Sequence, residues 1–213
     1  PKDPWSYRNK MQMPVGGIKG DIQMGFYAMG SHDIVQGTNC PIQDEGNNII
    51  AQACYQIAKE FDIEPYDEHT GKGVLRHVIG RIGQSGWMII LVTATEHLPH
   101  QEKWVEKLTE RAPQVETIVH NVNGKRTNVI LGPKNSVLYG DGTITDHIKD
   151  LQFTLSPHSF FQVNPEQTTV LYDQALEYAD LKGNETVIDA YCGTGTISLF
   201  LVHEAKHVIG IEI

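Results

Sequence analysis

The chain has 213 residues, 40% hydrophobic and 20% charged, an ordinary composition for a soluble globular protein of one large or two modest domains. Its net charge of −9 argues against a broad basic footprint for nucleic-acid phosphates, and its three scattered cysteines, with no CxxC pair, argue against a secreted disulfide framework. Apolar runs are strand-sized and no charged-then-apolar leader opens the chain, so the expectation is a cytoplasmic protein without a membrane partner.

In chain order, residues 7–15 alternate in polarity before Gly16-Gly17, and residues 22–29 form a second strand-like stretch, which together predict a hairpin. Residues 41–61 read as a helix with Ile49, Ala53, Ile57 and Phe61 on one stripe. Residues 73–82 and 87–95, joined by Gly83-Gln-Ser-Gly86, read as another hairpin, and residues 101–111 as an amphipathic helix. Short strands are expected at 116–123, 128–131 and 148–155. Charge is uneven: Lys2, Arg8, Lys10 and Lys19 outweigh Asp3 and Asp21 near the start, whereas Asp62, Glu64, Asp67 and Glu68 crowd a loop read as a solvated connection. This first block, residues 1–155, is an α+β pattern with a mixed sheet.

The second block is residues 156–213. Asn164 is placed to cap a helix that Pro165 opens, with Val170, Leu171, Ala175, Leu176 and Ala179 as its apolar face and Lys182-Gly-Asn as its stop. A short apolar strand then ends at Asp189, the loop Tyr191-Cys-Gly193-Thr-Gly195-Thr196 leads into a helix, and a second apolar strand delivers Glu212. Strand, glycine loop, helix, strand and terminal acid in this register predict a nucleoside-binding α/β unit. The third glycine of a GxGxxG fingerprint is missing, Ser198 standing in its place, so the loop fits a class I methyltransferase site better than a dinucleotide site. Glu212, an acceptor-only group, is suited to the ribose hydroxyls.

The segment Ser156-Pro-His-Ser-Phe160-Phe161-Gln162-Val-Asn164, taken with DAYCGTGTISL, VIGIEI and the opening WSYRNKMQMPVG, resembles the RumA class of 23S ribosomal RNA (uracil-5-)-methyltransferases. The resemblance covers essentially the whole chain and implies an α/β fold: an α+β central domain, substrate-facing, followed by the first part of a class I, Rossmann-like, S-adenosylmethionine-dependent methyltransferase domain. It implies cofactor contacts at Gln162, Tyr191, Thr196 and Glu212, beside the strand-end Asp189 and the loop glycines Gly193 and Gly195 that the strand-loop pattern already places in the cofactor site. A capping role for Gln162 and a core position for Tyr191 are the structural alternatives. RNA contacts are expected at Arg8 and Lys10, with Arg76 on the same side and the acidic loop away from it. Phe160 and Phe161 are candidates to stack on an extruded base, against the alternative of packing between the two blocks.

The chemistry implied is addition of a cysteine thiolate to uracil carbon 6, methylation of carbon 5, and proton removal by a general base. The family's nucleophile and base are expected beyond Ile213, so no catalytic residue is assigned within the chain, which is read as a fragment inactive by itself. Cys40 matches the last ligand of an iron-sulfur cluster that only a full-length protein could hold, because one thiolate cannot; no metal site is expected in this chain. Ribosomal RNA is the implied partner of a monomer, with no DNA partner. A small-molecule methyltransferase and a non-catalytic RNA-binding module are the alternatives.

Overall fold

The computed structural model describes residues 4–213, so Lys2 and Asp3 of the basic opening lie outside the described residues. A mixed seven-stranded sheet dominates. Its strands are β1 (Lys10–Ile18), β2 (Asp21–Tyr27), β3 (Ile34–Gln36), β4 (Leu75–Ile82), β5 (Trp87–Thr93), β6 (Val115–Val122) and β7 (Lys134–Tyr139), in the spatial order β3-β2-β1-β4-β5-β6-β7. Only β5 and β6 are parallel in it, joined through helix α2 (Gln101–Arg111). Helix α1 (Glu45–Glu60) connects β3 to β4.

Both faces of the central strands are covered, which is why β5 reads as a nearly unbroken apolar run and why β4 is buried along nearly its whole length even at Arg76, His77 and Arg81. On one face Val78, Ile89, Leu91 and Ile118 pack with Ile50, Cys54 and Ile57 of α1 and with Trp104 and Leu108 of α2. On the other, Ile79, Met88, Ile90, Val92 and Val119 meet a separate hairpin, β8 (Ile144–Ile148) with β9 (Leu151–Leu155), through Ile144, Ile148, Phe153 and Leu155. Phe161, Tyr172 and Phe200 join that second core, tying the remaining elements to the sheet: helix α3 (Pro165–Ala179), strand β10 (Thr186–Ala190), helix α4 (Thr196–Leu201) and strand β11 (His207–Ile211). Strands β10 and β11 form a two-stranded parallel sheet. The whole is an α/β fold.

Several elements depart from their sequence reading. The first hairpin turns at Lys19-Gly20, and Gly16 and Gly17 remain paired within β1. Helix α1 starts at Glu45, because the Asp44 carboxylate accepts the Gly46 amide at 2.8 Å and Arg8 bridges Gln43 just upstream. Its buried stripe runs through Ile50, Ala53, Cys54 and Ile57, with Ile49 and Phe61 at the margin. Residues 128–131 are not a strand. The Asn123 amide donates to the carbonyls of Val129 and Ile130 at 2.6 and 3.0 Å, and Asn121 exchanges hydrogen bonds with Gly132 at 2.8 Å in each direction. These side chains take the backbone groups a ladder would need, and pairing resumes only at Lys134. Residues 148–155 contain the β8–β9 turn, with Lys149 at φ 52°. On α3 the inward face is Thr168 and Tyr172, whereas Val170 and Leu171 are exposed.

Candidate functional site

The parallel register sets Asp189 opposite Gly210 and Ala190 opposite Ile211, so the residues after β10 and β11 emerge side by side at the carboxyl end of the pair. The Tyr191 and Cys192 amides donate to the Ile211 carbonyl at 2.8 and 3.1 Å, which starts the loop against the second strand. Gly193 and Gly195 have φ of 56° and 75°, and a Cβ built on either meets nothing within 4 Å. Their glycine character therefore serves the left-handed turn and leaves the space beside it open. The Gly193 amide donates to Glu212 Oε2 at 2.7 Å, which orients the carboxylate along the loop and leaves Oε1 without a protein partner among the described residues. Tyr191, itself at φ 65°, is 83% exposed at the loop mouth and not in the core.

Two expected site residues have structural partners. The Asp189 carboxylate accepts from the Ser198 hydroxyl and so anchors the first turn of α4 to the end of β10. Thr196 opens α4, and its hydroxyl is 2.8 Å from that of Tyr172, linking α4 to α3. Cys192 is a packing residue: a Cβ on Gly210 would lie 2.9 Å from its Sγ, so this strand position admits only glycine without a shift. The Cys54 thiol is fully buried and its pKa is pushed up by that burial. Cys40 is fastened through its backbone, its amide donating to Asn48 Oδ1 at 3.0 Å. Among the described residues no three His, Cys, Asp or Glu side chains gather as a ligand set.

Residues 156–164 form a bridge between sheet and loop. The Asn9 amide donates to the Val163 carbonyl at 2.9 Å and Arg81 donates to that of Ser159, while a long 3.5 Å hydrogen bond runs from the Thr194 hydroxyl to the Phe160 carbonyl. Gln162 is half-buried on this bridge, two residues from the glycine-loop contact. Phe160 is 71% exposed. The expectation for Phe161 as a base-stacking ring is corrected: it is 5% exposed, packed 5.4 Å from the Phe153 ring, and committed to the core.

Arg8 and Lys10 lie against the same bridge, since Asn9 between them pairs with Val163; the Arg8 Nε donates to the Lys10 carbonyl at 3.0 Å. Sequence reasoning missed their companion. Arg81, buried near the end of β4, stands with them, and burial first, then Arg81 and Arg8, lowers the Lys10 amine to about 8. Its one signal was an arginine on the same strand parity as the apolar Ile79. Arg76 is a correction, because it sits at the other end of β4 from Arg81, bound to the carbonyls of Asn123 and Lys125. It shares a cavity there with Glu68, so the acidic loop and Arg76 are neighbours.

No protein-family model matches the chain. It is 52% identical over 213 residues to a protein of Halalkalibacterium halodurans described as an uncharacterized RNA methyltransferase, covering 99% of the chain and 46% of that relative. Proteins with the same description from Bacillus cereus and Clostridium tetani are 51% and 50% identical over 214 residues, covering 100% of the chain and 47% and 46% of theirs. The chain thus spans about half the length of the curated relatives it matches. Among solved structures, a Pyrococcus abyssi tRNA (uracil-54, C5)-methyltransferase in complex with S-adenosyl-L-homocysteine superposes with a TM-score of 0.78 at 22% identity, over 99% of this chain and 50% of that one. The shared fold and the identity to the bacterial proteins make the chain similar, from end to end, to one half of proteins described as RNA methyltransferases.

Proposed function

We propose that the chain forms the cofactor-binding part of an S-adenosylmethionine-dependent enzyme that methylates carbon 5 of a uridine in 23S ribosomal RNA. In this reading residues 1–155 face the substrate and residues 156–213 carry the cofactor site. The observation that carries it is the Glu212 carboxylate, oriented by the Gly193 amide beside two left-handed glycines with open space around them. Glu212 would accept from the ribose hydroxyls, Gln162 would serve the amino-acid end, and Tyr191 would cover the adenosyl or methionyl moiety. When bound, S-adenosylmethionine supplies an electrophilic methyl group.

Arg8, Lys10 and Arg81 crowd the bridge that also presents Phe160, an arrangement suited to positioning a phosphate backbone beside an exposed ring. The Cys54 thiol is fully buried and its pKa is pushed up by that burial, a setting unsuited to a thiolate nucleophile.

The test is transfer of tritiated methyl groups from S-adenosylmethionine to 23S ribosomal RNA and to tRNA transcripts by the whole protein. Incorporation at uridine carbon 5 of the ribosomal RNA is expected, with none from the 213-residue chain alone. Labelling confined to tRNA would overturn the substrate, and turnover by the chain alone would overturn the placement of the nucleophile. Glu212→Ala should weaken S-adenosylhomocysteine binding by about 1–3 kcal/mol, roughly 5- to 150-fold, as charge-assisted hydrogen bonds are lost. Unchanged affinity by calorimetry would remove Glu212 from the ribose site.

A further inference from the structure

A cavity of about 400 Å³ opens at the end of β4 remote from the 156–164 bridge, in the size range of small-ligand sites. Arg76 and Arg81 are separated by five residues, about 16 Å along an extended strand, so this cavity is distinct from the glycine-loop crevice. Successive strand side chains normally point to opposite faces, yet Arg76 and His77 both line it. The cause is a β-bulge: Leu75 pairs with Thr93 and His77 with Val92, leaving Arg76 as the extra residue. Bulges of this kind re-aim a side chain at the cost of ladder regularity.

The charge in the cavity is arranged for an anion. Arg76 is 5% exposed and lies over the Tyr66 ring; its Nη1 is held by the Asn123 and Lys125 carbonyls, and its Nε has no hydrogen-bond partner among the described residues. His77, 8% exposed, has an Nδ1 without a hydrogen-bond partner among the described residues. Arg126 donates through Nη2 to the carbonyls of Glu68 and His69, leaving the rest of its guanidinium fork without a protein partner among the described residues. Against these two guanidinium groups stands one carboxylate, Glu68, which already accepts from Tyr27 at 2.8 Å and from His32 at 2.5 Å. Those two rings are stacked, 4.8 Å apart and 19° from parallel; both are exposed and form an aromatic wall of the cavity. Two guanidinium groups against one carboxylate leave a local excess of one positive charge, which matches a single phosphodiester on a chain whose overall charge is −9.

We propose that this cavity holds one unpaired nucleotide of the RNA substrate, its phosphodiester on Arg76 and Arg126 and its base against the Tyr27–His32 wall. A basic groove with an aromatic platform is the general solution for single-stranded nucleic acid. The inference rests on the RNA reading above and adds a second contact point, at a fixed distance from the cofactor crevice, that sets the register of the RNA.

The test uses the whole protein, an unstructured RNA octamer carrying 4-thiouridine, its abasic counterpart and uridine 5′-monophosphate. Arg126→Gln and Tyr27→Leu, both at accessible positions, should each weaken octamer binding about fivefold or more, while S-adenosylhomocysteine affinity stays at the wild-type value. The abasic octamer should be insensitive to Tyr27→Leu, and ultraviolet cross-links should map to Tyr27 or His32. Wild-type octamer affinity in both variants, or cross-links confined to residues 159–162 and 191–195, would overturn the proposal. So would competition by uridine 5′-monophosphate as effective as the octamer, which would make the cavity a mononucleotide site. Loss of S-adenosylhomocysteine binding with the Tyr27 cross-link retained would sink the methyltransferase reading and leave the cavity standing.

Discussion

Phe161→Ala is expected to lower the unfolding free energy by about 3–5 kcal/mol, the range for deleting a large buried ring and leaving a cavity. Phe161 is 5% exposed and packs on Phe153 of β9 in the core that also contains Ile79, Ile90, Tyr172 and Phe200. It therefore joins the seven-stranded sheet to α3 and α4, and its loss is felt on both sides. For a domain of ordinary stability this is a large fraction of the total. Urea denaturation gives the measurement; a loss below about 1 kcal/mol would show that neighbouring side chains collapse into the space. The same variant should weaken S-adenosylhomocysteine binding, because Phe160 and Gln162 lie on the bridge that Phe161 anchors and the Thr194 hydroxyl reaches the Phe160 carbonyl.

Acidification should destabilise the protein through His77. Burial first, and then the neighbouring Arg76, lower this imidazole from its ordinary 6.5 to about 4, with Glu68 opposing the shift. Below pH 6.5 the unfolded chain takes up a proton that the folded chain refuses. The stability contributed by the neutral buried ring is fully present above pH 6.5 and is lost as pH falls through about 4. The gap between the two values corresponds to about 3 kcal/mol. Since carboxylates titrate over part of the same window, the measurement is the difference between the protein and His77→Phe, an aromatic substitution suited to a strand. The variant should show a shallower fall in unfolding free energy between pH 6.5 and 4. Parallel profiles would mean that His77 binds its proton in the folded state as readily as in the unfolded one.

Local pattern alone was enough for much of the chain. The amphipathic spacing of residues 101–111 matches α2, Asn164 and Pro165 open α3 as their chemistry requires, and Asp189, the two glycines and Glu212 occupy one continuous strand-loop-helix-strand unit. Each depends on neighbours within about twenty residues, where periodicity and capping chemistry act directly. What the chain alone left undecided depends on distant partners. Strand β7 exists where it does because Asn121 and Asn123 occupy the preceding backbone, and the parallel pairing of β5 with β6 follows from α2 packing under them. Phe160 and Phe161 are identical neighbours in sequence, and only the β8–β9 hairpin decides that the second is buried and the first exposed. Likewise Arg76 and Arg81 are two arginines on one strand, sent to different sites by a bulge opposite Thr93 and Val92 and by the Ser159 carbonyl. The sequence by itself determined the chemistry of the glycine loop; the tertiary structure decided which cations and rings reach a site, because a side chain's burial is set by contacts from elements that no local window contains.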